Sequence, residues 1–233
     1  PHQKVKAPFH CLLQLLLQLL LSCNCYCQLL LPFPDPWPGA NKTAMAIDSS
    51  SGNIYITTAQ SFNQHNKWKL FRYNFSTSSY DSLAGSAFGP ASVTNKILFR
   101  NGLLYLLNDR NAIRCFNTVS NSWIWTSSVD FPAWEKINDI DLMGDTLFAA
   151  GDFSGINGTS RWSLAALNRL NGAVISSWDP SQNGLHDFIG TEVIRSSQNG
   201  NLYVGGKFLI SGKQNLLGIN IQNETFLTWT PNP

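Results

Sequence analysis

The side chains best suited to chemistry in this 233-residue sequence are carboxylates. Asp152 lies near the end of "LFAAGDF" at 147–153, where it could serve as a general acid or base. The same phrase returns as "LYVGGKF" at 202–208, with Lys207 in the place of Asp152. A repeated catalytic acid would not change sign, so the phrase reads as structure. In "NDIDLMGD" at 138–145, strand alternation sets Asp139 and Asp141 on one face with Asp145 in the turn beyond. Such oxygens could hold calcium, but the spacing is not that of an EF-hand, and a strand edge with a hairpin turn explains them as well.

Other chemistry finds less support. His186 and Asp187 in "HDF" at 186–188 would point to opposite faces of a strand. The remaining histidines, His2, His10 and His65, give no metal-ligand spacing. No nucleophile elbow, phosphate-binding loop or Cys/His dyad is present. The expectation is therefore a binding module rather than an enzyme, with no catalytic residue, cofactor or metal assigned. Paired carboxylates brought together from different repeats would escape this reading, which keeps a secreted hydrolase or oxidase, with its site in further repeats, as an alternative.

Charged residues make up 13% of the chain and aromatics 12%, a composition that favours short strands and turns over solvated helices. The net charge of +2 comes from Lys4 and Lys6, so the rest of the chain is balanced and no nucleic-acid partner is expected. In "KWKLFRY" at 67–73, alternation predicts a half-exposed strand with Lys67 and Lys69 on one face and Trp68 and Leu70 on the other.

Residues 1–31 read as a signal peptide: Lys4 and Lys6 precede the apolar run "CLLQLLLQLLLSC" at 11–23, and Ser22, Cys23, Cys25 and Cys27 follow. A signal anchor and a lipidated "LLSC" are the alternatives. A Pro-rich linker is expected over 32–43. The protein is then secreted or at the cell surface, touching a membrane only through such an anchor or a further C-terminal span. Four of the five cysteines fall in or beside the N-terminal segment, leaving Cys115 alone in the body with no disulfide framework. Sequons at Asn41, Asn157 and Asn223 fall in expected loops or turns, where a secretory protein can carry glycans, and a fourth at Asn74 sits at a strand end.

The elements that would position any site repeat along the chain. A glycine turn followed by an aromatic-centred strand occurs as "GNIYI", "GLLYL", "GDTLFA" and "GNLYV", centred on Tyr55, Tyr105, Phe148 and Tyr203. In step with it, Asn74, Asn117, Asn168 and Asn220 each close a strand, and Tyr80, Trp123, Val174 and Phe226 follow six places later. Polar, turn-prone residues lie between, most plainly around Asn171-Gly172. Each unit thus holds two hairpins, that is, four antiparallel strands, as a β-propeller blade does. The fold class read from the sequence is all-β, a β-propeller with four recognisable four-stranded antiparallel blades at about 44–83, 93–128, 137–180 and 191–233. In the third unit the strands are expected at about 137–143, 146–153, 163–168 and 173–178.

"LYVGGKF", "LFAAGDF" and "SLAALNRLNGAVISSWDP" at 163–180 resemble the delta-60 propeller repeat, and "RCFNTVSNSWIW" resembles the end of a kelch blade in the same galactose-oxidase-like group. The family's diglycine is matched by Ala150-Gly151 and Gly205-Gly206, whereas Thr57-Thr58 and Leu107-Asn108 depart from it. Its repeat-closing Trp before Pro is matched by Trp178 and Trp229, while Trp125 lacks the proline. The resembling families more often use six or seven blades. With a start at Pro1 and a stop at "WTPNP", the chain is expected to be part of a larger ring.

The resemblance implies a recognition or scaffold module with a protein or carbohydrate partner. A signal peptide, kelch-like blades and sequons also resemble the N-terminal part of fungal-type cortical polarity glycoproteins. The loops singled out are 154–162, "SGINGTSRW", and 209–215, "LISGKQN", because they join corresponding strands but differ in length and chemistry. Arg161 and Trp162 are the side chains there best suited to meet a ligand, although Trp162 also suits a packing role.

Overall fold

The sequence's apolar strands cannot bury both faces alone, and the structure, a computed structural model, solves this by stacking sheets. It describes residues 41–62, 65–83, 93–180, 190–210 and 213–228, and not the side chains of 41–42, 59–68 and 209–214. All of these residues fall within one unit, Trp37–Pro233. The signal-like segment 1–31, most of the linker, "HDF" at 186–188 and Trp229 lie outside the described residues.

Sheet I contains β1 (Asn41–Asp48), β2 (Asn53–Phe62), β3 (His65–Asn74) and β4 (Ser79–Leu83), paired antiparallel in chain order. Sheet II repeats this with β5 (Thr94–Arg100), β6 (Leu103–Asn108), β7 (Ala112–Asn117) and β8 (Ser122–Ser128). Sheet III has β9 (Lys136–Met143), β10 (Thr146–Asp152) and, after a small hairpin of β11 (Gly155–Ile156) and β12 (Thr159–Ser160), β13 (Leu164–Asn168). Sheet IV has β14 (Thr191–Ser196), β15 (Asn201–Ile210) and β16 (Lys213–Asn220).

The expected four strands per sheet hold for I and II but not for III and IV. There the fourth strand shrinks to one bridge, Leu167↔Val174 in sheet III and Ile219↔Phe226 in sheet IV. In sheet III the chain leaves the edge because Trp178 turns inward and packs edge-on against Phe148, with ring centroids 5.2 Å apart. Two element bounds also differ. The first strand begins at Asn41, inside the stretch read as linker and loop. The supposed loop 209–215 is mostly hairpin, with Leu209 and Ile210 ending β15 and Lys213 to Asn215 opening β16.

Alternation along the strands produces three apolar layers. Tyr55, Leu70 and Leu83 meet Ile97, Leu104, Leu106 and Phe116 between sheets I and II. Tyr105, Leu107, Ile113 and Cys115 meet Ile140, Leu147, Ala149 and Leu167 between II and III. Phe148, Ala150 and Trp178 meet Ile194, Leu202 and Val204 between III and IV. The repeated aromatic therefore points in each case toward the following sheet. Burial pushes the Cys115 thiol up to about 12, and only a thiolate reacts. A maleimide at about pH 8 is expected to spare Cys115 in the native chain and label it after denaturation. Rapid native labelling, read by mass spectrometry, would contradict a closed second layer.

The asparagine landmark has a direct physical basis. The side-chain oxygens of Asn74, Asn117 and Asn220 accept the backbone N–H groups two and three residues ahead, at 2.8–3.2 Å, and that of Asn168 accepts Leu170 N–H at 2.8 Å. Each side chain thus closes the turn that follows it.

A bulge recurs in the first strand of every sheet, between Lys42 and Ala44, Thr94 and Lys96, and Thr191 and Val193, and in the third sheet opposite Ala150/Gly151. The small pair was expected to admit a neighbouring sheet's bulky side chain; the structure corrects this. A Cβ on Gly151 would collide with the backbone of Lys136, Ile137 and Asn138, and one on Gly206 with that of Gly190, Thr191 and Glu192. The glycines accommodate the bulge of their own sheet. Sheets I and II place Thr58 and Asn108 at the same register, Asn108 donating to Thr94 Oγ1 at 3.1 Å, so the bulge does not require the diglycine.

Candidate binding surfaces

Antiparallel order within each sheet gathers the connections into two groups. Turns after the first and third strands lie at one end, the turn end. Connections after the second strand and those leading to the next sheet lie at the other, the loop end.

The loop end contains the residues singled out in the sequence, and it treats them differently. Arg161 is only 6% exposed. Its guanidinium donates to the carbonyls of Ser160 at 2.7 Å, Ile175 at 3.3 Å and Ser176 at 3.1 Å, and pairs with Asp179 at 3.3 Å. It thereby fastens the segment that peels from β13, and the expectation that it meets a ligand gives way to a structural role. Trp162, next in sequence, is 44% exposed and remains at the surface.

The β11–β12 hairpin interlocks with the connection between β8 and β9. Val129 bridges Ile156, Asp130 N–H donates to the Gly155 carbonyl at 3.1 Å, and the Asp130 carboxylate accepts Gly158 N–H at 2.7 Å. Glu135, 5% exposed, accepts Ser154 N–H and Oγ–H at 2.7 and 2.5 Å through one oxygen and Phe131 N–H at 3.1 Å through the other. These bonds fix a turn that exposes half of Phe131 and 69% of Trp134. Their rings stack at 5.6 Å and 12°. The sequence reading missed them. The signal available was "DFPAWEK" at 130–136, a proline between two aromatics in a connection between strands.

The turn end holds a cleft of about 690 Å³ between sheets I and II, bordered by Asp48, Tyr55, Arg72 and Phe99. Tyr55 stacks on Phe99 at 5.2 Å. Burial works against the Asp48 carboxylate, but hydrogen bonds from the Ser50 and Ser51 hydroxyls and N–H groups outweigh it and hold the group below its ordinary value. Burial raises the Tyr55 hydroxyl above its ordinary value. Arg72 is paired with Asp81 at 2.6 Å. With its polar groups satisfied locally, the cleft shows no nucleophile and base in contact. A second cleft, of about 200 Å³, lies beside Trp178, Ile221 and Glu224.

The three aspartates considered for calcium serve other contacts. Asp139 accepts Lys96 Nζ at 2.6 Å, Arg195 at 2.7 Å, and the N–H groups of Ile140 and Ile194 at 3.0 Å. Asp141 accepts Ser196 N–H and Oγ–H at 2.5 and 2.8 Å. Asp145 pairs with Arg169 at 2.8 Å. Asp139 and Asp141 thus share a strand face, as alternation requires, and supply acceptors to the free edge of β14. Among the described residues no group of three metal-ligating side chains converges. Asp152 likewise reaches sheet IV, accepting Gly190 N–H at 2.8 Å.

No protein-family model matches the sequence, and no curated protein sequence does. Solved structures do match. BamB from Moraxella catarrhalis aligns with a TM-score of 0.50 and 13% identity, over 79% of this chain and 51% of that one. The WD40 beta propeller domain of Doa1 aligns at 0.52 and 8%, over 80% and 53%. The chain folds as a β-propeller. The computationally designed Ika4 protein aligns at 0.54 and 10%, over 80% of this chain and 94% of that one. The chain spans about half the length of the BamB and Doa1 chains it matches. At these identities the likeness is one of fold, and the four sheets are its blades.

Proposed function

We propose that this propeller is a recognition or scaffold module of the kelch or delta-60 kind, exported to the cell surface or medium, that binds a protein or carbohydrate through its loop end. The observation carrying the reading is that the blades repeat one frame, down to the bulge and the asparagine turn, while the loop-end connections differ and hold Phe131, Trp134 and Trp162 exposed. Propellers provide binding surfaces in this way, though the fold itself does not name a ligand.

The test is to probe the full chain against a glycan array and a displayed random-peptide library. Ligands whose binding weakens on Trp162→Ala or Trp134→Ala, but not on Val119→Ser at the turn end, support the reading. Ligands indifferent to the loop end overturn it.

Export rests on the signal-like segment and sequons. Asn223 is exposed, and its side-chain oxygen accepts the Thr225 hydroxyl at 2.7 Å, leaving its amide nitrogen without a protein partner among the described residues. Asn157 instead uses both ends of its side chain, accepting Ser128 N–H at 3.0 Å and donating to the Gly172 carbonyl at 3.4 Å. Asn41 lies in β1, and its side chain is outside the described set. Expressed with residues 1–31 in eukaryotic cells, the chain is expected to show an endoglycosidase-sensitive shift that Asn223→Gln reduces more than Asn157→Gln. A cytosolic product without a shift contradicts export.

A further inference from the structure

The packing of the blades makes no use of the aromatic pair between β8 and β9. Phe131 and Trp134 are 50% and 69% exposed, and their stacking leaves the indole's outer face to solvent. The turn that carries them is nevertheless rigid. Trp134 and Glu135 N–H groups both donate to the Phe131 carbonyl, at 3.2 and 2.9 Å, and Pro132 fixes one backbone angle. The Glu135 carboxylate ties the turn to Ser154 of the neighbouring connection. A large indole held ready in water loses little conformational freedom on docking, which is the property of an interface anchor.

Two features indicate the occupant. Neither ring borders either cleft, whereas small ligands are usually taken up in concave sites. The flanking free charges are cationic: Lys136 adjoins the turn, and the Arg110 carbonyl accepts Ile137 N–H beside it. Neither cationic head group forms an ion pair among the described residues. The nearby acids are engaged, Asp130 with Gly158 N–H at 2.7 Å and Asp109 with Val93 N–H at 2.5 Å.

We propose that Trp134, backed by Phe131, is the anchor by which the loop end docks a protein partner, entering an apolar slot flanked by carboxylates that face Lys136 and Arg110. This rests on the loop-end reading above and names the partner's chemistry.

The experiment uses peptides selected from the displayed library on the full chain, measured by titration against variants, with the glycan array in parallel. Selected peptides are expected to combine an apolar segment with Asp or Glu. Trp134→Ala should weaken them by about tenfold or more, as truncating an anchor does, and Trp134→Phe by less. Val119→Ser should leave them unchanged, and the melting temperature of Trp134→Ala should match that of the parent. Raised salt should weaken binding through the cationic flank.

Peptides insensitive to Trp134→Ala, a selection of basic peptides, a melting temperature lowered by the substitution, or Trp134-dependent binding found only among glycans would each overturn the proposal. If Trp162→Ala weakens binding and Trp134→Ala does not, the anchor falls while the loop-end reading stands. If neither matters, both fall.

Discussion

Arg161→Ala is expected to destabilise the propeller by about 3–5 kcal/mol, the range for removing one partner of a buried ion pair. The side chains of Arg161 and Asp179 are only 7% and 14% exposed, so water cannot replace the lost partner. The substitution also leaves the carbonyls of Ile175 and Ser176 without their guanidinium donor, in a blade whose fourth strand supplies only one bridge. At about 2–4 °C per kcal/mol for a chain of this size, the melting temperature should fall on the order of 10 °C. Asp179→Asn should cost less than half as much, because Arg161 keeps its carbonyl contacts. Calorimetry of both variants checks this, and a fall of only a degree or two for Arg161→Ala would refute a bracing role. Arg161→Lys should recover little, since one ammonium cannot reproduce the planar fork that reaches three carbonyls and a carboxylate.

Asp139→Ala should be comparably costly, about 3 kcal/mol, for a different reason. Its carboxylate joins three blades, accepting Lys96 from sheet II and both Arg195 and Ile194 N–H from sheet IV. Removing it leaves two backbone donors and a largely buried ammonium unpaired at once. The arms should not contribute equally. Lys96 is 23% exposed in its side chain and Arg195 60%, so Lys96→Ala should cost more than Arg195→Ala, whose pair is screened by solvent. Hydrogen exchange offers a sharper readout than the midpoint. Asp139→Ala should speed exchange at Ile194 N–H while exchange within β6 and β7 stays slow. Uniform acceleration throughout would mean that Asp139 serves global stability rather than the joint between blades.

Local patterns legible in the sequence fixed much of this fold. The asparagine turns could be read because their hydrogen bonds reach only two or three residues ahead. The positions of the repeated aromatics could be read because alternation and the glycine turn are both local. The residue six places beyond each asparagine pairs as expected even where the fourth strand is reduced to it, at Val174 and Phe226. The diglycine was legible as a feature but not in its purpose, because the bulge that requires it lies in a strand about 14 residues earlier, as in Gly151 opposite Ile137.

Contacts across the layers were not legible. Arg161 looked available for a ligand because its partners lie 14–18 residues on, along a segment that read as an ordinary strand. Asp139 looked like a cation ligand because Lys96 and Arg195 lie 43 and 56 residues away. Trp134 drew no notice, since exposure depends on whether neighbouring blades leave a side chain uncovered. The sequence by itself determined the repeating frame, because strand period and turn chemistry act over a few residues. Only the tertiary structure decided which polar side chains are consumed in joining blades and which aromatics remain for a partner, because both depend on groups that folding brings together from distant positions.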